Sequence, residues 1–225
     1  KKVYTVLQLR VHPSLIALKE KIISIKNEKL KIKNSESAKK TRLATPSRLR
    51  LSEVGASAEW AVDKFRTNNS APSTKHKVTL QYITSRGLWY NFSWKGDKQK
   101  SGGIATNIGI HLFDLLIWLF GDVTNYDVII NQYNKMSGTL ELKNADVEWF
   151  LSIDRNDLPG IAIQNNKSTF RSIMIDGNEI EFTEGFTNLH TVVYQEILNG
   201  KGFGIQDSRP SIELVYKLRN CQQNT

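Results

Sequence analysis

Asn107, His111 and Asp114 carry the chemistry most readily read from this chain, because they interrupt a run, residues 101–120, that is otherwise apolar. At about 100° per residue on a helix, these three and Trp118 fall within roughly 60° of arc, while Ile104, Ile108, Leu112, Leu115, Leu116 and Leu119 cover the remainder. A solvated face would carry Lys and Glu; a stripe of Asn, His and Asp points to a polar cleft or a buried hydrogen-bond network. An imidazole exchanges protons near neutral pH, and a carboxylate one turn on could orient or charge it, so His111 is the candidate acid/base. The competing reading is a core histidine satisfied by Asp114. His111 and Asp114 supply two ligands at most and no second cluster completes them, so no metal site is expected.

Arg86 sits in the corner Thr84-Ser-Arg-Gly87 and is followed by Trp89 and Tyr90, where a guanidinium could take a carboxylate or phosphate or simply pair with a surface acid. Gly200-Lys-Gly-Phe-Gly204 has phosphate-loop spacing but follows a helical pattern, and reads as a helix C-cap and turn.

The elements that must position these residues lie mainly after residue 77. Strands are expected at 78–84, 88–94, 123–132, 138–143, 146–153, 168–175 and 179–182, with Asp176-Gly177 as a hairpin turn. Helices are expected at 104–120, closed by Gly121, at 189–198, and at 210–218 with Pro210 in its first turn. The fold class is α+β: an open, mostly antiparallel sheet with helices on one face. Upstream, residues 3–9 read as a strand beginning mid-domain, followed by a helix at 15–23 capped by Ser14, as in the back part of a longer protein.

The net charge of +9 over 225 residues is unevenly spread: residues 1–77 hold 18 Lys and Arg against 6 Asp and Glu, and the rest hold 13 against 16. Residues 24–77 read as a basic, mobile insertion with a short helix near 56–65. Basic residues without a binding module or a stacking pattern do not make a specific nucleic-acid site. Residues 104–120 are short for a membrane span and carry costly polar groups. The single cysteine, Cys221, excludes an internal disulfide and fits a cytoplasmic protein.

Val6-Leu-Gln-Leu-Arg-Val-His-Pro13, Ile83-Thr-Ser-Arg-Gly-Leu-Trp-Tyr90, Ser93-Trp-Lys-Gly-Asp97, residues 101–114 and Trp149-Phe-Leu-Ser-Ile-Asp-Arg-Asn-Asp-Leu-Pro159 together resemble the Gfo/Idh/MocA oxidoreductases. The resemblance is to the members that oxidise UDP-N-acetyl-2-amino-2-deoxyglucuronate (UDP-GlcNAcA) in surface-polysaccharide biosynthesis. It implies an N-terminal Rossmann domain that binds NAD and a C-terminal domain that binds the sugar and assembles homo-oligomers through its sheet. It further implies His111 as acid/base at the sugar C3 hydroxyl, Asn107 and Asp114 on the sugar, and Arg86 on an anionic part of the substrate. Gln8, Arg10 and His12 would lie near the nicotinamide.

Neither G-x-G-x-x-G nor the Glu-Lys-Pro segment with the family's catalytic lysine occurs here, so the Rossmann domain is expected to lie outside this chain. Residues 1–23 then form the last Rossmann strand and a junction helix, and 78–225 the substrate domain, expected to be inactive alone and not to bind NAD. A rival expectation is a non-catalytic assembly module that uses the sheet for oligomer contacts and the basic segment for a partner.

Overall fold

The computed structural model describes residues 2–43, 75–87, 89–180 and 188–221. They belong to two compact units, Lys1–Glu20 with Lys75–Thr225, and Lys21–Thr74.

The first unit is built on a six-stranded sheet: β1 (His76–Thr84), β2 (Val123–Asn131), β3 (Lys135–Leu142), β4 (Ala145–Ser152), β5 (Thr169–Ile175) and β6 (Asn178–Glu179). The spatial order is β2-β3-β4-β1-β5-β6. Among the described strands only β1 and β4 run parallel, so the sheet is mostly antiparallel as the pattern implies. The expected hairpin turn closes β5 onto β6, with Asp176 and Gly177 both at positive φ.

Alternation along the strands sends Leu80, Leu140, Val147, Trp149, Leu151 and Ile173 to one buried face. Against it lies a composite helix: residues 103–104, a wide π turn at Ala105–Gly109, and α4 (the helix Ile110–Phe120). Phe113 meets Trp149 edge to face with ring centroids 5.3 Å apart. Gly109 permits this approach, because a Cβ there would fall 2.8 Å from Leu151 Cδ1 and from Phe113 Cε2. Residues 98–120 are long and apolar enough to cross a membrane by length and composition, but 67% of their apolar 18-residue window is buried inside the fold.

The remaining helices, in chain order, are α1 (Pro13–Leu43), α2 (Trp89–Phe92), α3 (Lys98–Ser101), α5 (Gly160–Gln164), α6 (Leu189–Leu198) and α7 (Ile205–Asn220). The last of these packs on α4. The short α5 covers one end of the opposite sheet face, where Ile83, Leu158 and Ala162 cluster with Phe150 and Phe170.

Several expectations are corrected. Residues 89–92 form α2 instead of a strand: after Thr84 the chain leaves the sheet, and Ser93 closes a helical turn through bonds to Trp89 and Tyr90. Residues 3–9 make only a bridge from Tyr4 to Gly204 and then a 3-10 turn at Gln8–Val11. The following helix starts at Pro13, on the His12 carbonyl, and not on a Ser14 cap. It runs to Leu43, well into the segment read as mobile, because residues 14–43 contain neither Gly nor Pro and are rich in Lys, Leu and Glu. Helix α7 begins five residues before Pro210, where Asp207 accepts a bond from the Gly204 amide. The expected helix near 56–65, and residues 181–182 of the last expected strand, lie outside the described residues.

Candidate active site

The π turn is the local device that builds the site. Its i to i+5 bonding widens the helix around Asn107, as such turns do at many functional sites. Asn107 Nδ2 lies 2.9 Å from Ser101 Oγ, 3.0 Å from the Lys95 carbonyl and 3.3 Å from Tyr90 Oη, among which its two hydrogens are shared. Its Oδ1 has no protein donor among the described residues and is left to accept from a ligand.

Asn107, His111, Arg86 and Gln8 converge on one solvent-open recess of about 470 Å³. Leu9, Ile108 and Leu112 give it an apolar floor, and Tyr82 and Arg171 complete the wall. These last two face each other across β1 and β5, with Arg171 Nη2 3.4 Å from Tyr82 Oη and the guanidinium 5.0 Å from the ring centroid. Among the described residues the lining has two guanidinium groups and no Asp or Glu, which favours an anion. Among the described residues Arg86 has no carboxylate partner; its guanidinium stands 6.0 Å from the Tyr90 ring.

His111 lines the recess and is solvent-exposed there, with protein packed against part of its ring. Partial desolvation by the protein around it lowers its pKa below the ordinary imidazole value; the Asp114 carboxylate opposes the shift and His190 reinforces it. The ring is therefore neutral at pH 7 and able to accept a proton.

Asp114 is not part of the recess wall. It is buried and takes a two-pronged bond from Arg10, Nε to Oδ2 at 2.9 Å and Nη2 to Oδ1 at 2.8 Å, while Ser211 donates to Oδ1 at 3.2 Å. The carboxylate expected to orient His111 and touch substrate thus ties the N-terminal segment to α4 and α7. Arg10 is committed to that carboxylate and to the Asp207 carbonyl, 2.8 Å away, and His12 is buried outside the recess. Of the three residues expected near the nicotinamide, Gln8 alone lines the recess. Sequence reasoning missed Tyr82 and Arg171, for which only the strand register gives a signal.

Among the described residues no three His, Cys, Asp or Glu side chains cluster as metal ligands. Nor does a glycine-rich turn lead from a strand into a helix; residues 200–204 follow α6 and turn back to bridge Tyr4. The described residues therefore lack the strand-to-helix turn on which a dinucleotide pyrophosphate sits in a Rossmann domain.

Residues 76–219 match the profile of the oxidoreductase family, C-terminal alpha/beta domain, of the Gfo/Idh/MocA group. The chain belongs to the Gfo/Idh/MocA oxidoreductases. Among solved Gfo/Idh/MocA structures, it is similar to the WlbA (WbpB) dehydrogenase from Thermus thermophilus in complex with NAD and UDP-GlcNAcA. The identity is 40%, over 99% of this chain and 56% of that one, with a TM-score of 0.73. The same enzyme with NAD and alpha-ketoglutarate gives 41% identity, 98% and 56% coverage and a TM-score of 0.74. The chain therefore spans little more than half the length of these relatives.

Proposed function

We propose that this chain is the substrate-binding portion of an NAD-dependent dehydrogenase that oxidises the C3 hydroxyl of a UDP-GlcNAcA-type nucleotide sugar. The observation that carries the reading is the convergence of His111, Asn107 and Arg86 on one recess whose described lining holds no carboxylate. Likeness to a dehydrogenase held with NAD and UDP-GlcNAcA supports it. The hydride acceptor belongs to a part of the enzyme that these residues do not build. Their own share is to take a proton and to hold the sugar: His111 accepts the hydroxyl proton, Asn107 Oδ1 accepts from a neighbouring hydroxyl, and Arg86 binds the substrate's negative charge. The open sheet face beside Ile129 and Phe150 is the surface through which we expect copies of the chain to associate in the cytoplasm.

The test is to fuse the chain behind the cofactor-binding half of the Thermus thermophilus enzyme and supply NAD and UDP-GlcNAcA. NADH formation that needs both halves supports the reading. A folded fusion that binds NAD yet leaves UDP-GlcNAcA unoxidised contradicts it.

A further inference from the structure

We infer that Ser101 is a positioning residue of the site: its hydroxyl, with the Lys95 carbonyl beside it, locks the Asn107 amide with Nδ2 inward and Oδ1 toward the recess, so that the site selects a sugar with a donating hydroxyl next to the oxidised carbon. The selectivity rests on the nucleotide-sugar reading above; the lock does not. The one-turn helix α3 builds it. Asp97 caps that turn by accepting from the Gln99 and Lys100 amides, and the Ser101 amide donates to the Asp97 carbonyl at 2.9 Å. The turn brings Ser101 back beside Lys95, whose carbonyl accepts the Ser101 hydroxyl proton at 2.8 Å. Gly102, at φ +81°, leads the chain out of α3, and the Gly103 amide donates to Ser101 Oγ at 3.1 Å.

An asparagine amide is nearly symmetric in shape, and a free one turns over to offer a ligand either its oxygen or its NH2. Here that choice is removed. A backbone carbonyl can only accept, so the end of Asn107 that lies 3.0 Å from the Lys95 oxygen is the NH2. The Ser101 hydroxyl directs its one proton to the same carbonyl and offers Asn107 only lone pairs, 2.9 Å away. Tyr90 Oη, at 3.3 Å, is a third and longer acceptor. Turning the amide over would set Oδ1 against the Lys95 and Ser101 oxygens with no hydrogen between them, and Ser101 is 8% exposed, so solvent does little to relieve the contact. Oδ1 is therefore a fixed acceptor on the wall that His111 shares. In a sugar whose C2 carries the acetamido group, the hydroxyl next to C3 is the one on C4. A fixed acceptor takes the proton of that hydroxyl and repels an acceptor, such as fluorine, put in its place.

Side-chain amide NMR on this chain reads the lock directly. The Asn107 Nδ2 protons, identified by their loss in Asn107→Ala, should exchange with water at least about tenfold more slowly than those of an exposed asparagine, and Ser101→Ala should remove most of that protection. In the fused enzyme, Ser101→Ala should lower kcat/KM for UDP-GlcNAcA by about tenfold but change it by less than about twofold for the analogue with fluorine at C4, whereas damage to the fold alone would lower both equally. The lock is overturned if the parent's Asn107 protons exchange as freely as those of an exposed asparagine, if Ser101→Ala leaves them protected, or if that variant loses equally on the two substrates. The first of these outcomes needs no variant, so it decides the matter even if Ser101→Ala folds poorly. A protected amide in a fused enzyme that leaves UDP-GlcNAcA unoxidised would sink the reading of function and leave the lock standing. Turnover with an unprotected amide would do the reverse.

Discussion

Asp114→Ala should cost this fold about 3–5 kcal/mol, the range for removing one partner of a buried ion pair. The structure gives the reasons. The Arg10 and Asp114 side chains are only 8% and 4% exposed, so the guanidinium left behind cannot recover its hydration. Its remaining partners are the Asp207 carbonyl at 2.8 Å and the half-exposed Asp207 carboxylate at 3.8 Å, which place the cost near the lower end. Ser211 keeps its second bond, to the Ser208 carbonyl at 2.8 Å, and adds little. Urea unfolding reads the effect: with a slope of about 2 kcal/mol/M the midpoint should fall by roughly 1.5 M at unchanged slope. The double variant Arg10→Met with Asp114→Leu removes both charges and should recover most of the loss, giving a coupling of a few kcal/mol in the cycle. An Asp114→Ala protein within about 1 kcal/mol of the parent, or a double variant as unstable as the two singles summed, would refute the assignment of this pair as the tie between the N-terminal segment and the helices.

Acid should loosen the β4 end of the sheet. Burial pushes the Asp157 carboxyl pKa up, but the bonds from Ser152 Oγ at 2.6 Å and Lys135 Nζ at 2.9 Å outweigh it, and the net shift is downward. A folded pKa below the unfolded value means stability that is present above about pH 4 and is lost as pH falls through the folded pKa, so Asp157→Asn should flatten the acid limb of the urea midpoint. Gly109→Ala should lower stability by about 1–3 kcal/mol, seen as a lower Tm, because the added methyl meets Leu151 and Phe113 in a packed core. Titration of this chain alone with NAD should be calorimetrically flat, since among the described residues no helix N-terminus after a glycine-rich turn receives the pyrophosphate; a micromolar Kd would contradict this.

The parts of the site that rest on local pattern were legible, and the parts that rest on register or long-range pairing were not. His111 and Asn107 stood out because polar side chains in an apolar helix need a partner or a cleft, and Arg86 because a tight corner displayed it. Tyr82 and Arg171 are polar residues in strands, which read as ordinary solvent-facing positions until the β1–β5 register sets them opposite each other. The direction of Asp114 was hidden for two reasons. A uniform 100° step does not hold through the π turn, and its partner Arg10 is 104 residues away in sequence. The aromatic run at residues 89–94 misled through β propensity, which describes fit to a half-buried sheet surface that the chain has already left. In α1 the expected end at residue 23 fell short, because the absence of Gly and Pro lets the helix continue to Leu43.

The central claim, that His111 removes the substrate proton, is tested most directly by steady-state kinetics of His111→Ala in the fused enzyme. Loss of a general base should lower kcat by about 10²–10⁴-fold with little change in KM, whereas Arg86→Ala, which removes a clamp on fixed charge, should act mainly on KM. Because burial lowers the His111 pKa, the parent's acid limb in kcat/KM should lie below pH 6.5 and vanish in the variant. Near-normal turnover of His111→Ala at saturating UDP-GlcNAcA, with the acid limb intact, would contradict the account.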